Sequence, residues 1–324
     1  MPAMPNSTKD IARLSGEARE RIAGIVAQTP LLFSQAFSER IGAEVYFKLE
    51  NKQHTGSFKL RGATNSLMSL SPAQREAGCV VASSGNHGVA IAYAMRELGV
   101  SGVIFVPEQT SSAKVDAIRS CGGTVRFFGT DGLDTEQHAR AYADDNGMRY
   151  VSPYNDLTVI AGQGTCGVEI VEQLPGVDAA FIAVGGGGLM SGVGSVLKQH
   201  NPAIRLFGCQ PEASAVMAKS VEAGHVLDMP SEYTLSDGTA GGVEPDSITF
   251  DLCRELVGEF VIVSEAHIAA AMRAYMATEP GSIEGAAGVA IAALDAAKAD
   301  IAGSTVVVII CGGNISTETL DAVA

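Results

Sequence analysis

Ala180-Phe181-Ile182-Ala183-Val184-Gly185-Gly186-Gly187-Gly188-Leu189-Met190-Ser191-Gly192 joins an apolar run of strand length to four glycines and then to a helical pattern that continues to Lys198. A strand that feeds a helix through a tight turn is the repeating unit of a parallel α/β sheet. Four residues without side chains at that turn let several backbone N–H groups converge on an anion at the helix N-terminus. The stretch matches neither the dinucleotide fingerprint G-x-G-x-x-G nor the triphosphate loop with its Lys-Ser/Thr, so NAD and nucleoside triphosphates are disfavoured. A glycine loop that serves only as a hinge is the competing reading.

The same alternation extends in both directions. Cys79-Val80-Val81-Ala82 precedes a helix starting near Asn86, and Val103-Ile104-Phe105-Val106 precedes one starting near Ser112. A strand at 124–128 leads to a polar helix at 133–145, and Val306-Val307-Val308-Ile309-Ile310 ends the series. That last run is apolar throughout, as expected of a central strand buried on both faces. The expected fold class is therefore α/β, with two doubly wound domains and mainly parallel sheets. Residues 75–155 hold three self-sufficient βα units and are read as a small domain, leaving 1–74 and 156–324 as the large one. A stretch at 227–247, with Pro230, Gly238, Gly241, Gly242 and Pro245, is the one long loop expected.

Composition narrows the functional classes. With 22 Lys+Arg against 36 Asp+Glu, the net charge of −14 opposes binding to nucleic acid or anionic lipid, which need clustered basic residues. The six cysteines show neither a CxxC pair nor zinc-like spacing, so no disulfide framework and no metal cage is expected. The start of the chain carries mixed charges and lacks a signal-type apolar region, and no apolar run approaches bilayer length. A soluble, cytoplasmic protein without a membrane partner is expected, and the 37 glycines favour close approach of backbone to a small ligand.

Three further segments carry chemistry. Ser83-Ser84-Gly85-Asn86-His87-Gly88 closes a strand and opens a helix, so its amides and hydroxyls suit an anion, or simply cap the turn. Cys311-Gly312-Gly313-Asn314 follows the central strand, which puts Cys311 at the carboxyl edge where α/β sheets bind ligands. Cys311 as inert core is an equal alternative there. Lys59, in Thr55-Gly56-Ser57-Phe58-Lys59-Leu60-Arg61-Gly62-Ala63, falls in the first turn of an amphipathic helix, where most lysines are solvated.

Taken with Ile160-Ala161-Gly162-Gln163-Gly164-Thr165, these ordered motifs closely resemble the threonine dehydratase and serine racemase family of pyridoxal phosphate enzymes of fold type II, over nearly the whole chain. The resemblance implies that Lys59 holds the aldehyde of pyridoxal 5'-phosphate and later acts as the Cα base. It further implies that Phe58 lies by the cofactor ring, Asn86 meets its hydroxyl, Gly185, Gly186, Gly187, Gly188 and Leu189 cradle its phosphate, and Cys311 faces its pyridine nitrogen. Ser83, Ser84, Gly85, Asn86 and His87 would hold the carboxylate of an amino acid substrate, with Ser84 a second catalytic candidate because it matches the racemase serine. The implied reaction is β-elimination of a β-hydroxy amino acid to a 2-oxo acid and ammonia, with racemisation or β-replacement as the alternative, in a homodimer.

Two departures refine this expectation. Relatives that bind a divalent cation carry two acidic side chains where this chain has Gln210 and Val216, with Glu212 displaced by two residues. A hard cation requires such oxygen ligands, so no metal and no magnesium activation are expected. The segments Ser236-Asp237-Gly238-Thr239-Ala240-Gly241-Gly242-Val243-Glu244 and Glu284-Gly285-Ala286-Ala287-Gly288 look most like the branch of hydroxyectoine-utilisation and phenylserine dehydratases. A substrate bulkier than serine is expected, with Thr239, Ala240 and Ala286 widening its pocket.

Overall fold

The computed structural model describes residues 7–323. Ten strands form two sheets: β1 (Leu31–Phe33), β2 (Glu44–Leu49), β3 (Cys79–Ala82), β4 (Gly102–Val106), β5 (Val125–Phe127), β6 (Arg149–Tyr150), β7 (Ala179–Ala183), β8 (Arg205–Pro211), β9 (Glu259–Val263) and β10 (Thr305–Ile310). The larger sheet runs β1-β2-β10-β7-β8-β9, and the smaller runs β5-β4-β3-β6. Every pairing between these strands is parallel except β1 with β2.

β7 is buried along its whole length and β10 at every position after Thr305, which is why both read as unbroken apolar runs. β10 lies third in the sheet, between β2 and β7, as its composition predicts. The Gly285–Ala296 helix lies against β7 to β10, and the Thr8–Arg21, Leu157–Gln173 and Gly188–His200 helices pack on one another. Asp156 starts the Leu157–Gln173 helix by accepting from the amides of Thr158 and Val159 at 2.8 and 3.2 Å.

The Lys59–Met68 helix packs against both the Leu157–Gln173 helix and the Asn86–Leu98 helix that follows β3. The apolar cluster beside the smaller sheet accordingly includes Ile22, Val26, Leu60, Ala63, Leu67 and Val159, from outside 75–155. Gly162 makes this contact close. A Cβ there would lie 2.6 Å from the Arg61 carbonyl oxygen and the Gly62 Cα, so the 160–165 motif is a helix-packing device beneath Lys59.

Under the same helix lies a buried charge network. Arg61, fully buried, donates to both oxygens of Glu50 at 2.7 and 2.8 Å and to both oxygens of Glu169 at 2.8 Å. Lys48, also fully buried, donates to Glu169 at 2.7 Å. Two cations and two carboxylates balance, and Thr29 and Thr165 take up further bonds from the guanidinium. Glu50 directly follows β2 and Arg61 stands in the Lys59–Met68 helix, so the network fixes both ends of the turn that carries Lys59.

Candidate active site

The carboxyl ends of the parallel strands supply most of the site. β3 runs into 83–86, β6 into 151–155, β7 into 184–187 and β10 into 311–314. An antiparallel bridge between Ser57 and Gly312 lays the Lys59 turn along the last of these, with Phe58 N donating to Cys311 O at 3.0 Å.

The Lys59 side chain is turned inward, and its Nζ donates to the carbonyl of Pro153 at 2.9 Å and stands 5.2 Å from the centre of the Phe58 ring. Burial brings the amine down to about 8, against the pull of Glu284 and Cys311, whose negative forms favour the charged state. Most lysines in a first helical turn are solvated; Lys59 is not, because the preceding Gly56-Ser57-Phe58 segment is sewn to the end of β10, which points the first helical side chain into the cleft.

A polar chain crosses the cleft beside it. Asn86 Nδ2 donates to Glu284 at 2.9 Å, Asn314 donates to Asn86 Oδ1 at 2.7 Å, and the Cys311 thiol lies 3.6 Å from the other Glu284 oxygen. Burial raises the Glu284 carboxyl to about 7, although its bond from Asn86 opposes the shift. Burial, with the carboxylate adjacent, also holds the Cys311 thiol well above its usual range, so it is a neutral thiol. Glu284 and Asn314 have no assigned part in the sequence reading. Glu284 entered the sequence reading only as the first residue of the 284–288 segment, and its partners Asn86 and Cys311 lie far away in the chain.

The glycine turn is bounded on both sides. A Cβ on Gly186 would lie 2.4 Å from the Tyr154 ring, one on Gly185 would lie 2.9 Å from Thr239 Cα, and Gly187 has φ +85°, so side chains are excluded. The Gly188–His200 helix begins there without a side-chain cap, which leaves its first amides available to an anion. Leu189 turns its side chain into the core, so only its backbone can belong to the cradle.

The 83–87 loop is similar. Gly85 is the N-cap of the Asn86–Leu98 helix and offers no side-chain bond, while Ser83 Oγ accepts from Gly85 N at 3.3 Å. Ser83 and Ser84 are half-buried at the cleft and Gly85 is exposed. The His87 side chain is directed elsewhere: it is buried with Nε2 3.1 Å from Val151 O, and burial keeps it neutral by lowering its pKa to about 3. Only the His87 amide therefore remains for a carboxylate.

Residues 22–312 match the family described as pyridoxal-phosphate dependent enzyme. The chain belongs to the pyridoxal-phosphate dependent enzymes. It is 39% identical to a putative threonine dehydratase of Sinorhizobium fredii, over 92% of this chain and 90% of that one. It is 37% identical to an L-threo-3-hydroxyaspartate ammonia-lyase of a Pseudomonas species, over 93% and 94%. The processed form of threonine deaminase isoform 2 from Solanum lycopersicum superposes with a TM-score of 0.92 at 32% identity, covering 98% of this chain and 93% of that one.

The residues present fit pyridoxal phosphate. Its aldehyde needs a lysine amine that loses its proton readily, and Lys59 is such an amine; its phosphate needs uncovered amides, and the turn that excludes every Cβ has them. One consequence is measurable. Only the neutral amine attacks an aldehyde, and a lowered pKa means that Lys59 is neutral above about 8. Cofactor uptake by the apoprotein should therefore quicken as pH rises through about 8, whereas a midpoint near the ordinary 10.5 would contradict the buried placement.

Gln210 and Val216 sit where the sequence raises the metal question. Gln210 is buried, donates to Val184 O at 3.0 Å and accepts from Ala218 N at 2.7 Å, so its amide is a cross-link behind the glycine turn. Val216 is core and Glu212 is exposed. Among the described residues no helix is long and apolar enough to cross a membrane.

Proposed function

We propose that this enzyme is a dehydratase, or ammonia-lyase, that converts a β-hydroxy amino acid into a 2-oxo acid and ammonia by β-elimination. The carrying observation is the meeting of the buried Lys59 amine, the glycine turn and the Asn86–Glu284–Cys311 chain at one cleft. It occurs in a chain whose relatives are named threonine dehydratase and ammonia-lyase.

When bound, the cofactor supplies an electron sink for the bond broken at Cα. Gly185, Gly186, Gly187, Gly188 and the Leu189 amide would hold its phosphate, Asn86 its ring hydroxyl, and Phe58 would lie by its ring. Cys311 would meet the pyridine nitrogen as a neutral thiol, leaving that nitrogen without a full positive charge, which suits elimination. Ser83, Ser84 and the amides at 85–87 would orient the substrate carboxylate at the open helix end.

Lys59 would first carry the cofactor and then, displaced by the substrate amine, take the Cα proton through its neutral nitrogen. The proton so gained can pass to the departing β-hydroxyl, which leaves as water. The released enamine then takes up water to give the oxo acid and ammonia.

We further propose a substrate larger than serine, on the likeness of the 236–244 and 284–288 segments to the branch of hydroxyectoine-utilisation and phenylserine dehydratases. A Cβ on Gly238 would already stand 3.6 Å from Ala286 Cβ and 3.8 Å from Glu284 Oε1, ordinary contact distances, so the glycine frees the space of a methyl group beside Ala286. Thr239 plays no part in that widening, because its hydroxyl bonds Ser236 at 2.6 Å and its backbone abuts Gly185. A panel of serine, threonine, 3-phenylserine and 3-hydroxyaspartate, assayed for oxo acid with and without EDTA, tests the reading. The expected result is oxo acid and ammonia, highest for a bulkier substrate and insensitive to EDTA. D-amino acid as the main product, or EDTA inhibition reversed by magnesium, would overturn it. A methylene of difference in such a pocket is worth only ~10- to ~200-fold, so threonine should still react.

A further inference from the structure

One residue of the 236–244 stretch has no place in the proposed chemistry: Glu244, at its end. Glu244 lies outside the cleft, yet it converges on the one turn that touches both halves of the cofactor site. That turn, 152–155, brings the Pro153 carbonyl to Lys59 Nζ at 2.9 Å, lays the Tyr154 ring on Gly186 and sets the Tyr154 Cβ and backbone against Gly188.

Glu244 grips this turn at several points. One carboxylate oxygen accepts from Asn155 Nδ2 at 2.9 Å and from the Arg140 guanidinium at 3.0 Å, and the other accepts from Ser152 Oγ at 3.4 Å. The Glu244 amide donates to the Tyr154 hydroxyl at 3.0 Å. Asn155 is held in turn by Ile248 N at 3.1 Å, and Thr249, one residue further on, donates to Gly186 O at 2.6 Å. Arg140 itself comes from the Gly132–Asp145 helix beside the smaller sheet, stacked 4.3 Å over the Tyr150 ring and bonded to Glu136. The carboxylate thus joins an element of the smaller sheet to the wall of the glycine turn.

We infer that Glu244 is a positioning residue that clamps the 152–155 turn, and thereby sets both the placement of the Lys59 amine and the fit of the phosphate cradle. A plain surface ion pair would matter little, since exposed pairs contribute about 0–1 kcal/mol. Glu244 differs because its remaining bonds go to side chains of a turn that packs on the site itself.

The inference rests on the cofactor site proposed above, and the test separates the two. Apoprotein is titrated with pyridoxal 5'-phosphate, and borohydride reduction with peptide mapping reports which lysine carries it. If wild-type protein fixes no cofactor on Lys59, the site is wrong and the clamp falls with it. With the site sound, Glu244→Ala should raise the cofactor Kd about tenfold or more, the size expected for a lost charge-assisted hydrogen bond. Glu244→Gln, which keeps an acceptor for Asn155 and nearly the same shape, should recover part of that loss and serves if the alanine variant does not fold. Asn155→Ala combined with Glu244→Ala should cost clearly less than the product of the two single effects, because both act through one bond. A lowered melting temperature with unchanged cofactor Kd in Glu244→Gln and Glu244→Ala, or fully multiplicative effects in the double variant, would overturn the clamp.

Discussion

Lys59→Ala should reduce oxo-acid formation by at least about 10³-fold, because it removes both the covalent anchor of the cofactor and the Cα base. Borohydride should then fix no cofactor on the protein, whereas wild-type protein yields one labelled peptide containing Lys59. Lys59→Arg should not rescue, since the guanidinium stays charged and cannot attack an aldehyde. The fold should survive, because an amine whose pKa is lowered by burial adds little to stability in its charged form. Retained activity in Lys59→Ala, or a fixed adduct on another lysine, would sink the assignment.

Arg61→Ala should destabilise the protein by about 3–5 kcal/mol, the cost of breaking a buried ion pair and leaving its partners uncompensated. Glu50 and Glu169 would both lose their bidentate partner, with Lys48 and the more distant, partly exposed Arg19 left beside Glu169. Arg61→Lys should restore little, since an ammonium cannot span Glu50, Glu169, Thr29 and Thr165 together. Urea unfolding of the apoprotein measures the loss. The pH dependence carries the same information with a definite sign. Burial works to raise the Glu169 carboxyl, but the bonds from Arg61 and Lys48 prevail and hold it below its usual value. Its stabilisation is therefore present above the ordinary carboxylate range and fades as pH falls through the lowered value, and Arg61→Ala should flatten that acid limb. A midpoint in urea indistinguishable from wild type would show that the network is not a stabilising element.

The order of strands and helices was legible because each βα unit announces itself locally. An apolar run such as 305–310 is buried on both faces, and a turn such as 185–188 must be glycine for steric reasons that act over a few residues. The cradle and the helix-opening loop at Ser83–Ser84 could be read the same way. What escaped were groups whose meaning comes from partners remote in the chain. Glu284 owes its raised pKa to burial, and its partners Asn86 and Cys311, whose bonds oppose the shift, are far from it in sequence. Thr239 read as a pocket-widening residue and is instead a wall of the glycine turn. His87 stands in a substrate-like motif, yet the helix that starts at Asn86 rotates its ring toward Val151 O and leaves only its amide at the cleft.

By itself the sequence determined the α/β alternation, the glycine turn and the lysine with its family resemblance, because those are properties of short stretches and of their order. Tertiary structure alone decided that Lys59 is buried with a lowered pKa rather than solvated, since that depends on Ser57 pairing with Gly312 and on Pro153 arriving from the other sheet. The physical reason is that a side chain's charge state is set by what surrounds it in space. For Lys59 those surroundings include Pro153 after β6, Cys311 after β10 and Glu284 at the start of the Gly285–Ala296 helix, all remote from it in the chain.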